Sequence, residues 1–167
     1  MTMLKYLSLA FVFCAFLAGA STASATPLYV VDVAKVYSES ATAKKADAHL
    51  AKVQAVLQKG FADLEKRVAK TKKEEREREL TAGRAVLERQ MQIELQAARE
   101  AVHAVMLEAV KEWRQKKGGA VIAKQQLLDF SPKMEITGTI IKAMDKKTPK
   151  FRALPVVSFK DGGKKGK

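Results

Sequence analysis

Lys70-Thr71-Lys72-Lys73-Glu74-Glu75-Arg76-Glu77-Arg78-Glu79 lies near the centre of a proline-free run of 84 residues, positions 34–117. None of its ten residues is a large apolar one, so a helix built from it has no face to bury. On either side the pattern changes. Upstream, Ala46, Leu50, Val53, Leu57, Phe61, Leu64 and Val68 recur at steps of three and four. Downstream, Leu87, Met91, Leu95, Ala98, Val102, Val105, Ala109 and Trp113 do the same. Both stripes have helical periodicity close to a coiled-coil seam, without strict heptads. Their consecutive four-residue steps approach an eleven-residue repeat, which relaxes left-handed supercoiling. The run is rich in Ala, Lys, Glu, Arg, Gln and Leu, the strongest helix formers.

Two stripes divided by a charged gap predict two antiparallel legs. The midpoint between Val33 and Ala120 falls near Arg76 and Glu77, which puts the tip within residues 72–83. Lys72, Lys73, Arg76 and Arg78 are the tip residues on this reading, and Gly83 is a candidate left-handed turn position. Each leg is then roughly 40 residues and about 60 Å long. The competing reading is one unbroken helix of about 80 residues in a parallel coiled coil, which Glu74 and Arg78 support as an i,i+4 pair. Gly60, inside the first leg, is either a flexible point or a tolerated surface residue.

A short apolar segment flanks each end of the run. Residues 28–33, Leu-Tyr-Val-Val-Asp-Val, read as a strand buried on both faces, followed by a helix start that Ser38 or Ser40 caps. Lys116-Lys117-Gly118-Gly119 ends the second leg with cations and then glycine. Residues 120–123, Ala-Val-Ile-Ala, read as a second strand. Gln125-Gln126 make a turn, and residues 127–130, Leu-Leu-Asp-Phe, read as a third strand that Ser131-Pro132 breaks. Thr137 caps a short helix, 138–147, whose buried face is Ile140, Ile141 and Met144. The fold class is α+β and mostly α: a long helical hairpin arm on a small β body. So small a body buries little area alone, and oligomerisation through it completes the core. The oligomerisation residues are Leu28, Val30, Val31, Val121, Ile122, Leu127, Leu128, Phe130, Ile140 and Ile141.

The termini supply the address and the charge. Lys5, an apolar run at 7–17 and Ala23-Ser24-Ala25 form a secretory signal peptide, with cleavage after Ala25. Its apolar run is too short for a typical membrane span. Cys14 does not make a lipoprotein signal, because Phe13 stands where a small residue is needed. Cleavage leaves 142 residues without a cysteine, so the fold holds by packing in an oxidising compartment. In a bacterium with two membranes this compartment is the periplasm. The formal charge is +13. The arm carries 19 Lys and Arg against 13 Asp and Glu, and residues 146–167 carry 8 against 1. The organisation is therefore a leader (1–25), a body (26–37 and 118–147), an arm (38–117) and a basic, flexible tail (148–167). Residues 152–159 of this tail have enough apolar content to dock as an extended segment, and the last six or seven read as disordered. Basic surfaces attract acidic polypeptide, lipopolysaccharide or anionic lipid, the last two through residues 160–167. Export disfavours nucleic acid.

Catalytic signatures are missing from the pattern. His49 and His103 sit one on each leg, without a carboxylate or cysteine at ligand spacing, and read as surface residues. Serines lack a histidine–carboxylate constellation, and no glycine-rich phosphate loop is present. The expectation is a non-enzyme without a metal or cofactor. Phe61, Met91 and Trp113 are the candidate client-contacting residues, although Trp113 also continues the apolar stripe as a core residue would.

The layout resembles the Skp/OmpH family of periplasmic chaperones. The resemblance covers about residues 28–147. It rests on Leu28-Tyr29-Val30-Val31-Asp32-Val33, the Ala/Lys/Glu/Gln arm, Ala120-Val121-Ile122-Ala123, Leu127-Leu128-Asp129-Phe130 and Glu135-Ile136-Thr137. It implies a homotrimer whose strands join in a barrel-like body, with three hairpins around a cavity. Unfolded outer-membrane β-barrel proteins would be held there without ATP. Two features depart from the best-known members: a shorter arm and the basic tail. The rival functions are a structural coiled-coil envelope adaptor and a basic binder of anionic lipid or nucleic acid.

Overall fold

The structure, a computed structural model, describes residues 25–159. The signal-peptide reading and the lipid-binding reading of residues 160–167 lie outside them. The described chain is mostly helical, with one two-stranded sheet. Its order is β1 (Leu28–Val31), α1 (Val33–Glu39), α2 (Ala41–Val68), α3 (Lys73–Lys117), β2 (Ala120–Ala123) and α4 (Thr137–Met144), with 3-10 turns at Lys124–Gln126 and Pro132–Met134.

The two strands pair in parallel, Leu28 opposite Ala120 and Val31 opposite Ala123. A parallel pair needs a crossover, and here the whole arm supplies it. The arm leaves the C-terminal end of β1 and must return to the N-terminal end of β2, so the return leg also spans the sheet. Four strand residues cover about 13 Å, and nine helical residues rise about 13 Å. The outgoing leg runs over positions 33–68, 36 residues, and α3 has 45, nine more. The equal-leg assumption therefore misplaces the tip. The turn is at 69–72, where the Thr71 N–H and hydroxyl both donate to the Val68 carbonyl at 3.0 and 2.7 Å. Lys72 is in the turn, Lys73 opens α3, and Arg76 and Arg78 belong to its first turns. Gly83 is not a turn residue but a buried one inside α3. The break between α2 and α3 removes the unbroken-helix reading.

Each junction has a chemical cause. Asp32 caps the short helix α1 by accepting from the Lys35 N–H at 3.0 Å. Ser40 caps α2 by accepting from the Ala43 N–H at 3.1 Å. Gly118 and Gly119 take φ of 72° and 83°, which turns the chain from α3 into β2. A side chain at Gly119 would meet the Pro27 carbonyl oxygen at 2.5 Å. Residues 127–130 form no strand; Val30 instead bridges to Glu135, and the Ile136 N–H donates to the Val30 carbonyl at 2.9 Å. Thr137 is the first residue of α4 rather than its cap, because its hydroxyl accepts from the Asp32 N–H and donates to Glu135. That helix ends at Met144, short of residue 147.

Two apolar clusters result. The base cluster joins Val31 and Val36 to Ala43, Ala46, Ala98, Val102, Val105, Met106, Ala109, Ile140 and Met144. The arm cluster holds Val53, Leu57 and Leu87, with Phe61, Met91, Val157 and Phe159 packed on it. The last two belong to residues 152–159, the part of the tail expected to dock as an extended segment.

Candidate functional site

Beyond the base, the arm is two helices thick and presents two different faces. One face is an open apolar cleft of about 560 Å³. Leu57 and Phe61 from α2 meet Leu87 and Met91 from α3 there, because each helix repeats its stripe every three or four residues. Gln54, Gln58, Glu65, Arg84 and Glu88 edge it. The Arg84 guanidinium stands 5.1 Å from the Phe61 ring centre. Phe61 and Met91 are each only half-buried. So two of the three residues singled out for client contact share one cleft. Trp113 does not; it packs edge-on against Tyr29 at the base, with ring centres 4.5 Å apart.

The other face is covered by residues 148–159, which carry no helix or strand. Pro149 is buried, and Phe151 stacks on His49 with ring centres 4.9 Å apart. Val157 lies against Gly60, where a Cβ would approach Val157 Cβ to 2.8 Å. Phe159 approaches Gly83, and its carbonyl accepts from Arg67 Nη1 at 2.6 Å. The contacts are in register. From Phe151 to Phe159 an extended chain spans about 26 Å, and from His49 to Arg67 a helix rises about 27 Å. This strap climbs α2 at the pace of an extended strand. Phe151, Pro155, Val157 and Phe159 are half-buried, while Arg152, Leu154, Val156 and Ser158 face outward. The two buried mid-helix glycines, Gly60 and Gly83, are thereby explained. Neither is a surface residue; each lacks a side chain where another side chain enters. The apolar content of residues 151–159 was the available signal for this contact, and its site on the arm could not be read without the fold.

Charge frames both faces. Arg67 also pairs with Glu79 at 3.1 Å, tying the two legs near the tip. Lys72, Lys73 and Arg78 are exposed, and Arg76 is half-buried. Glu94 is buried between the legs; its Oε1 accepts from Gln90 Nε2 at 2.6 Å, and its Oε2 has no hydrogen-bond partner among the described residues. His49 is half-buried under Phe151, contrary to a surface reading, whereas His103 is exposed.

At the body, Lys147 pairs with Glu112 at 2.6 Å and Glu108 at 3.1 Å. The hydrogen bond from Lys147 holds the Glu112 carboxyl below its ordinary range, and the same bond, with that to Glu108, raises the Lys147 ammonium. Asp32 is held low first by the Lys35 N–H and then by Lys124, whose Nζ is 3.1 Å away. Of the residues assigned to oligomerisation, Val30, Val31 and Ile140 are buried within the chain. Val121, Ile122, Leu127, Phe130 and Ile141 are half-buried, Leu28 is exposed, and Leu128 is fully exposed at 108%.

Among the described residues no group of three or more His, Cys, Asp and Glu is placed to hold a metal ion. No described helix is long and apolar enough to cross a membrane. No protein-family model matches the sequence, and no curated protein matches it. Among solved structures, that of a candidate outer membrane chaperone (OmpH-like) from Caulobacter crescentus CB15 is similar. It is 15% identical, covers 78% of this chain and 92% of that one, and superposes with a TM-score of 0.41.

Proposed function

We propose that the mature chain is an ATP-independent periplasmic holdase that binds unfolded outer-membrane β-barrel proteins between helical arms and prevents their aggregation. The observation that carries this reading is the apolar cleft far out on the arm, floored by Phe61 and Met91 and edged by charge. Phe61 and Met91 pack on the arm cluster yet leave part of their apolar surface open, and exposed apolar patches mark binding surfaces. Its contacts are few and shallow, which suits retention of a chain without a fixed geometry, and repetition over several arms multiplies weak contacts into useful avidity. The basic excess of the chain favours acidic polypeptides. The arms belong to a homotrimer joined through the body. In support, β2 pairs only with β1 among the described residues and Leu128 stands free. A two-stranded sheet alone is marginal in water.

The test is dilution of a urea-unfolded outer-membrane barrel into buffer with the mature protein at about micromolar concentration, followed by light scattering. Suppression without ATP is expected, and Phe61→Asp with Met91→Asp should reduce it at least about fivefold, as loss of two central apolar contacts does. Unchanged suppression by the double variant, with its helicity intact, would sink the cleft as the holding surface.

A further inference from the structure

The strap occupies the arm as an extended peptide ligand would. Burial alternates along the strap from Leu154 to Phe159: Pro155, Val157 and Phe159 are half-buried, as is Phe151, while Leu154, Val156 and Ser158 are exposed. Gly60 makes room for Val157. Among the described residues a single hydrogen bond, from Arg67 to the Phe159 carbonyl, fastens strap residues 149–159 to the arm. No strand pairing is involved. A segment seated mainly through half-buried side chains, without a strand ladder, opens at lower cost than a paired strand. A groove that takes side chains only from alternate positions also suits a strand from a membrane β-barrel, which is apolar at every second residue.

We propose that this face of the arm is a second binding groove, selective for extended chains with apolar side chains at alternate positions, and that residues 149–159 are its resident, displaceable occupant. The inference rests on the holdase reading for the identity of the competitor, and on this chain's own seated segment for the groove's preference. Occupancy by the strap lowers client affinity by the fraction of time the groove is open. A strap open about 1–10% of the time reduces it about ten- to a hundredfold. An idle arm thus keeps its apolar groove covered, and only a segment of matching pattern at sufficient concentration uncovers it.

The probes are a labelled synthetic peptide of sequence 148–159 and an unfolded outer-membrane barrel protein. They are offered to the mature chain, to the chain ending at Lys147, and to the full chain with Val157→Asp and Phe159→Asp. The peptide should bind the truncated chain, bind the intact chain far less, and be competed off by the unfolded barrel. The double variant should hold the barrel about ten- to a hundredfold more tightly. Hydrogen exchange should find residues 149–159 unprotected in it and the arm helices still protected. Release of the strap with unchanged or weaker barrel affinity overturns the proposal. So does peptide binding that the barrel does not compete. Loss of arm helicity in both altered chains overturns it too, because the strap is then a structural member. Peptide capture by the truncated chain, with no barrel held by any of the three proteins, sinks the holdase reading instead and leaves the groove's preference standing.

Discussion

Gly60 and Gly83 are each a lone glycine buried inside a helix, and their replacements should behave in opposite ways. At Gly60 the neighbour is Val157 on the strap, and at Gly83 it is Leu64, which is 2% exposed. Gly→Ala in a helix interior gains about 1 kcal/mol of propensity, whereas overpacking a closed core costs about 1–3 kcal/mol. Gly60→Ala should therefore leave the arm as stable or more so while loosening the strap. Gly83→Ala should lower the urea midpoint, because Leu64 has little room to move. Equal and stabilising effects at both sites would show that neither glycine is a contact point. The two stripes told which residues face inward, since that depends only on local period. They did not tell what fills the gaps left by glycine, because the filler lies on another segment: Val157 of the strap at Gly60 and Leu64 of the opposite leg at Gly83. Glu94 makes the same point in reverse: it falls at a position facing the other leg, and its identity gives no hint of burial. Replacing an incompletely bonded buried carboxylate by an apolar residue of similar length is neutral to stabilising. Glu94→Met should raise the unfolding free energy by roughly 1 kcal/mol in a urea titration, and a large loss would point to a partner for Oε2.

The helices and strands were legible where they are long or strongly patterned, and misread where a distant partner sets them. Residues 127–130 have strand-like composition, yet the edge of β1 is taken by Glu135 and Ile136, which leaves them without a ladder. The tip came out wrong because parallel pairing, which composition does not reveal, lengthens the return leg. Another long-range tie is the Lys147 pair of bonds to Glu108 and Glu112, which clamps the end of α4 to α3. Its pH dependence follows from the shifts. Glu112 titrates below its ordinary 4.5 in the folded chain, so the unfolded chain takes up protons first as acid is added. The stabilisation is present above 4.5 and is lost as pH falls through the lowered folded value. Lys147 titrates above its ordinary 10.5, so its share is present below 10.5 and is lost as pH rises through the raised folded value. Lys147→Met should then lower the melting temperature at neutral pH. The difference from the parent chain should shrink at both extremes when thermal melts are recorded from acid to alkaline pH. A gap that stays constant below pH 4 would assign the effect to packing of the lysine stem rather than to charge.

At the scale of the molecule, the arm and the body pose different problems. The arm is self-sufficient, since α2 and α3 bury each other's stripes from Ala46 to Val68 and from Leu87 to Ala109. The body is not, since its sheet has two strands and its most exposed apolar side chain, Leu128, buries nothing within its own chain. Oligomerisation was inferred from the small size of the body, an argument from surface to volume that needs no coordinates. Leu128 was among the residues assigned to it from the sequence, and the fold leaves that side chain exposed. If three copies join through the body, Leu128→Asp puts a carboxylate into an apolar contact that each copy repeats, and the penalty is counted three times. The mature chain should elute with three times its own mass by size-exclusion chromatography with light scattering. The variant should dissociate at concentrations at least about tenfold higher than the parent, with its far-ultraviolet helix signal retained, because the substitution touches nothing inside the protomer. Barrel retention should fall together with the trimer, since arms that no longer share a base lose their shared avidity. A variant that stays trimeric would move the assembly face to the half-buried residues Val121 and Ile122, and a parent that is monomeric at every concentration would remove the cavity from the mechanism and leave the single arm as the holding unit.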